Sequence, residues 1–272
     1  MSVTIEGNCL SGGHSKIEVS TSDRFKLLHH ADSRPPTSIP LDVDNIAVEN
    51  HLFPYAPSPQ KGGGVRRGSF VSVGQKPGIH VVEHLFSALY GLDLFNVRID
   101  VFGNELPFFD GSSRAYTEEL KRITAKEKPS GFCLDKKVLV SYASSFIRYE
   151  PLKEDILIID MELFHPFIGK QQINLQITEK SYLEEIAPAR TFAFTDEMDP
   201  RLKDLPPYGI GVTKDNIYST EPLRYKDELA RHKILDLLGD LYVLQKRLVG
   251  KITGRNTSHL LNQEFLKKVS QL

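Results

Sequence analysis

From Lys226 to Leu248 the chain runs without a proline and with a single glycine, Gly239. Its apolar residues, Leu229, Ile234, Leu235, Leu237, Leu238, Leu241 and Leu244, recur at helical spacing. That pattern predicts an amphipathic helix over 226–248 rather than a strand. On such a helix residues four apart stack on one face. His232, Asp236 and Asp240 fall on that spacing, so an imidazole and two carboxylates share a ridge beside a leucine-rich face. A His/Asp pair one turn apart is a two-point chelate for a borderline metal such as zinc. An arbitrary HxxxD on a helix is more often a solvated polar face, so the remaining residues have to decide between the two.

At 272 residues the chain suits one large or two modest domains, each able to bury a core. A net charge of −1 advertises no nucleic-acid partner. The two cysteines, Cys9 and Cys133, are far apart and outside any CxxC pair, which points to reduced thiols in a cytoplasmic protein. The sequence has neither a bilayer-length apolar run nor a basic-then-apolar start, so any membrane contact is expected to be peripheral.

Alternating stretches at 3–6 and 15–19 read as half-buried strands around a glycine-bearing turn at 7–13. Prolines within 34–40 predict an irregular connection. The loop 57–64 carries a triple glycine at 62–64. It lacks the GK[ST] ending of a phosphate-binding loop and reads as a hairpin tip, followed by a strand at 69–73. A helix is expected over about 80–92, a strand over 96–102, and a second helix over 114–123 capped from 110–113. The polar stretch 125–131 is the candidate linker. Beyond it come expected strands at 137–142, 145–149, 156–163, 172–177 and 191–194. The long helix, a strand near 249–253 and a closing helix from 258 complete the order. Strands followed by helices in each half predict an α+β fold of two similar domains, 1–126 and 130–272.

Nine histidines occur, and two more of them have company that could make a site. His84 follows Glu83 directly, so an imidazole could hold a metal while the carboxylate reaches its water. With His80 the string reads HVVEH, the H-x-x-E-H pattern of inverzincin peptidases, which would make His80 and His84 ligands and Glu83 the base. His259 stands at the start of the closing helix. A carboxylate beside it, for which Asp240 is the candidate, would keep it an imidazolium near neutrality.

Taken together these blocks resemble the UDP-3-O-acyl-N-acetylglucosamine deacetylases of lipid A synthesis. The resemblance is carried by Glu83-His84-Leu85, Asn96, the run from Leu106 to Ser112 (LPFFDGS), the run from Ala189 to Phe194 (ARTFAF), the run from Leu223 to Asp240 ending RHKILDLLGD, and Ser258-His259-Leu-Leu-Asn262. It implies two α+β domains, each a sheet with a helix pair, with the helices sandwiched between the sheets. It implies zinc on His84, His232 and Asp236, with Glu83 as general base; a His/His/Asp donor set also accepts other divalent ions, ferrous iron among them. His259 backed by Asp240 would be the cationic residue at the oxyanion, and Thr191 would lie close to the tetrahedral centre. Lys233 and Phe192 would contact substrate, and the insert 194–212, with Met198, Leu202, Leu205 and Ile210, would form an acyl passage. The implied partners are UDP-3-O-acyl-N-acetylglucosamine and water, acted on by a cytoplasmic monomer. The sequence departs from the family pattern at Ser11, Val81, Gly211-Val212-Thr213 and Thr257-Ser258, and in the placing of Phe164, all away from the implied ligands and base. A peptidase using His80, or a relative that binds the nucleotide sugar without cleaving it, would use the same residues differently.

Overall fold

In the computed structural model, which describes residues 1–30, 35–52, 67–74, 78–124, 129–194 and 209–272, two large sheets share one plan. The first half supplies strands β1 (Ser2–Asn8), β2 (His14–Thr21), β3 (Lys26–His30), β4 (Thr37–Ile39), β5 (Ile46–Leu52), β6 (Arg67–Val73) and β7 (Ile79–His80). Helix α1 (Glu83–Gly91), strand β8 (Val97–Phe102) and helix α2 (Arg114–Leu120) follow. The second half begins with β9 (Gly131–Cys133), β10 (Val138–Tyr142), β11 (Ser145–Glu150), β12 (Leu157–His165) and β13 (Gly169–Ile177). Then come the short α3 (Glu179–Ser181), β14 (Phe192–Phe194), β15 (Ile210–Val212), β16 (Ile217–Tyr218), α4 (Glu228–Leu241), β17 (Arg247–Arg255) and α5 (His259–Ser270).

The first large sheet has the order β1-β2-β8-β3-β4, and the second has β10-β11-β17-β12-β13 with β9 added beside β17. In both, the last strand in sequence enters the middle, antiparallel to one neighbour and parallel to the other. Each sheet also has a helix immediately before that strand and another after it, α1 and α2 in the first half, α4 and α5 in the second. Alternation explains the layering: along β12 the even-spaced residues Leu157, Ile159, Met161 and Leu163 are buried while their neighbours face outward. Ile17 and Val19 do the same on β2.

The helices fill the space between the sheets, with α1 packed on α4 and α4 on α5 and β12. Every residue of α1 is buried, as expected of a helix enclosed on all sides. Gly239 permits the closest approach, since a Cβ there would run into the backbone carbonyl oxygen of Glu83. Tyr242 fastens the same contact by donating its hydroxyl to Leu94 O at 2.7 Å. Two three-stranded sheets, β5-β6-β7 and β14-β15-β16, flank this arrangement.

Three local expectations need correction. The proline-bearing stretch forms β4, which pairs only at a sheet edge, where prolines at 35, 36 and 40 flank rather than interrupt it. The helix expected from His80 starts at Glu83. His80 is held in β7 because its N–H donates to Asn104 O and its carbonyl accepts from Leu106 N, and Val81 then turns through φ +61°. The long helix ends at Leu241 and passes through a 3-10 turn to a left-handed Gln245, which frees Arg247 onward for β17. As expected, the segment 110–113 caps α2: Ser112 Oγ accepts from Arg114 N at 3.2 Å, while Ser113 Oγ donates to His84 O at 2.8 Å. The triple glycine at 62–64 and most of the candidate linker, 125–128, lie outside the described residues.

Candidate metal centre and active site

Because α1 and α4 occupy matching places in the two halves, their histidines meet. His84 and His232 each stand seven residues before a glycine, Gly91 and Gly239. Their rings lie edge to face with centroids 5.5 Å apart. One ligand atom each from His84, His232 and Asp236 falls within 4.8 Å of the other two, and all three residues are buried. The ridge on α4 is therefore no solvated face.

Second contacts orient His232 and Asp236. His232 Nδ1 lies 3.0 Å from Ala189 O. A carbonyl only accepts, so Nδ1 carries the proton and Nε2, 3.2 Å from Asp236 Oδ1, is the nitrogen able to offer a lone pair. Burial, with His232 next to it, drives the His84 imidazole down to about 3, so it is neutral at pH 7. Its Nδ1 is buried and, among the described residues, has no hydrogen-bond partner. Burial alone would raise Asp236, but Lys233, His232 and His259 outweigh it and hold the carboxyl well below the usual range. Lys233 Nζ sits 2.9 Å from Asp236 Oδ2 and over the Phe192 ring. Two imidazoles and a fixed carboxylate make a donor set suited to a divalent metal, and the buried, partnerless nitrogen of His84 fits a role as ligand.

Glu83 and His259 border this group. Glu83 Oε2 accepts from Val71 N at 3.1 Å, and burial pushes its carboxyl up to about 7 despite the nearby His259 charge. His259 is shifted upward too. Burial opposes its charge, but Asp240 and Asp236 prevail and raise it to about 9. The contacts are His259 Nδ1 to Asp240 Oδ2 at 2.9 Å and Nε2 to Asp236 Oδ1 at 3.9 Å. Ser258 caps α5 and so fixes where His259 begins it. Thr191 is tied by its backbone, donating to Gly111 O at 2.7 Å and accepting from Ile210 N at 2.8 Å. Gly209, at φ +84°, passes so close to Thr191 that a Cβ would collide with its carbonyl oxygen.

His80 does not join the cluster. It is in β7, with Nδ1 2.7 Å from Ser72 Oγ, and the three-ligand group forms without it. The H-x-x-E-H reading required His80 and His84 on one helix, and the turn at Val81 separates them. Phe164 is half exposed, and its neighbour His165 stacks on Phe194 at 3.6 Å. Of the expected acyl passage, Phe194 and Ile210 are described, whereas Met198, Leu202 and Leu205 lie outside the described residues.

Two parts of the site escape a reading of the sequence. Asn262 donates to Asp240 Oδ2 at 2.7 Å, completing a His259–Asp240–Asn262 set. Glu228, fully buried, receives Arg190. A signal for Glu228 exists, because it precedes His232 by four and lengthens the same ridge by one turn.

Residues 64–271 match the family model described as UDP-3-O-acyl N-acetylglycosamine deacetylase. Among similar proteins, the UDP-3-O-acyl-N-acetylglucosamine deacetylase of Campylobacter jejuni serotype O:2 is 38% identical over 202 residues, covering 70% of this chain and 68% of that one. The protein of the same name from Campylobacter lari is 36% identical over 205 residues, with the same coverage of 70% and 68%. That of Helicobacter hepaticus is 34% identical over 200 residues, covering 70% and 67%.

Proposed function

The chain belongs to the UDP-3-O-acyl-N-acetylglycosamine deacetylase family, and from that premise we propose that it hydrolyses the acetamide of UDP-3-O-acyl-N-acetylglucosamine, releasing acetate and the free amine for lipid A synthesis. The observation carrying this reading is the convergence of His84 with His232 and Asp236 beside two groups shifted in ways that suit amide hydrolysis.

His84, His232 and Asp236 would hold the metal, zinc or ferrous iron. Such an ion, when bound, supplies Lewis acidity that brings the pKa of water to about 7 and polarises a carbonyl. Glu83, poised near 7, takes a proton from the attacking water. His259 keeps its charge to about pH 9 and, with the Thr191 hydroxyl, stabilises the oxyanion developing on the substrate. The leaving amine takes up its proton from Glu83 or His259, the two proton carriers at this centre. Asp240 holds the His259 ring through Nδ1. Lys233 and Phe192, adjoining on one side of the ligand group, would meet the nucleotide sugar, and 194–212 the acyl chain.

The proposal also takes residues 1–126 and 130–272 as two domains, supported by large sheets that share no strand. A monomer working in the cytoplasm, touching the membrane only peripherally to meet its acylated substrate, completes it. No helix among the described residues is long and apolar enough to cross a membrane. The test is acetate release from the UDP-sugar by chain loaded with zinc or ferrous iron. One acetate and one free amine per turnover are expected; metal-loaded chain that leaves the acetamide intact would end the proposal.

A further inference from the structure

Next to the ligand group lies an ionic chain with no part in the chemistry above. Arg190 and Glu228 are both 0% exposed and joined twice, Nε to Oε1 at 2.8 Å and Nη2 to Oε2 at 3.1 Å. Glu228 also accepts from the backbone N–H groups of Arg190, at 3.1 Å, and Arg224, at 2.7 Å. Arg224 in turn donates to Pro188 O at 2.7 Å and to Asp110 Oδ2 at 2.8 Å. The series thus runs from the first half, through the start of α4, to the segment 188–191.

A buried ion pair of this kind rarely adds net stability, because removing both charges from water offsets their attraction. Apolar side chains of similar volume would hold a core as well. What the pair does supply is register. Segment 188–191 is gripped at Pro188 O by Arg224 and at Arg190 N by Glu228. Between those grips lies Ala189 O, the acceptor for His232 Nδ1, and just beyond lies Thr191. Glu228 is also one turn before His232 on the same helix, so one carboxylate references both partners of the Ala189–His232 bond.

We infer that the Arg190–Glu228 pair, braced through Arg224 to Asp110, is a positioning clamp that sets the ring orientation of His232 and the seat of Thr191. This rests on the hydrolysis proposed above for its consequence, not for its geometry. Glu228→Gln keeps the shape and removes the charge, turning an amide NH2 toward N–H donors. In metal-free chain carrying 15N-histidine, the His232 Nδ1 proton resonance of Glu228→Gln should shift or broaden. In loaded chain kcat should fall about 10–100-fold, the range for losing a residue that orients a metal ligand, with KM little changed. Arg224→Lys, at a part-exposed position, should show the same two effects more weakly and decides the matter if Glu228→Gln does not fold. Arg98→Ala, which breaks a pair with Asp100 on the first large sheet, should move neither readout. Folded variants with an unmoved His232 resonance and full kcat would overturn the clamp. A wild-type chain that releases no acetate, while Glu228→Gln still moves that resonance, would remove the proposed reaction and leave the clamp standing.

Discussion

Glu83 shows how one buried side chain links chemistry to stability. Its folded-state carboxyl is pushed from 4.5 to about 7, chiefly by burial. A group raised in this way favours folding while protonated, so that contribution is whole below pH 4.5 and lost as pH climbs through 7. Glu83→Gln should therefore cut turnover about 10²–10⁴-fold. In the metal-free chain it should also raise the urea midpoint at pH 8, with no gain at pH 4. The gain should be about 1–3 kcal/mol, and equal midpoints at pH 8 would show that Glu83 is not held against ionisation. In the proposed roles, Glu83 and His259 should set the pH dependence of kcat/KM. It should rise as Glu83 ionises near 7 and fall as His259 loses its proton near 9. Asp240→Asn withdraws the largest upward influence on His259. Its falling limb should move to lower pH with metal content unchanged; an unmoved limb would assign that limb to another group.

At the scale of elements, the site depends on how closely α1 and α4 pack. Gly239→Ala puts a methyl against the Glu83 carbonyl, so the helices must separate or the turn must distort. Overpacking of this sort costs about 1–3 kcal/mol. Gly239→Ala should lower the urea midpoint accordingly and weaken metal binding in the same variant; unchanged metal affinity would mean that helix spacing does not set the ligand group. The α4 ridge is legible in the sequence because helical periodicity and the four-residue spacing of His232, Asp236 and Asp240 are local properties. The start of α1 is not. The string HVVEH reads as helix throughout, but hydrogen bonds from His80 to the segment 104–106 hold it in a strand, and Val81 adopts a left-handed turn that β-branched residues ordinarily avoid. Arg190, Arg224 and Asp110 are hidden for the same reason, since each acts through a partner distant in sequence.

Over the whole molecule, the repeated sheet order puts one helix from each half at the same depth, and this turns two modest motifs into one centre. The α+β class follows from the order of elements. The matching topology does not, because a shared backbone plan needs no shared residues. Metal should bind only where both halves are docked, so a chelator should lower Tm and saturating metal should raise stability by about 4 kcal/mol at a thousandfold excess over Kd. A Tm indifferent to chelation would place the ion elsewhere or nowhere. The most direct measurement is elemental analysis of purified wild-type chain beside His84→Ala, His232→Ala, Asp236→Ala and His80→Ala. One divalent metal per chain in wild type and His80→Ala, with loss from the other three, is the expected result. Full metal in His84→Ala or His232→Ala, or its loss from His80→Ala, would contradict a centre shared between the two halves.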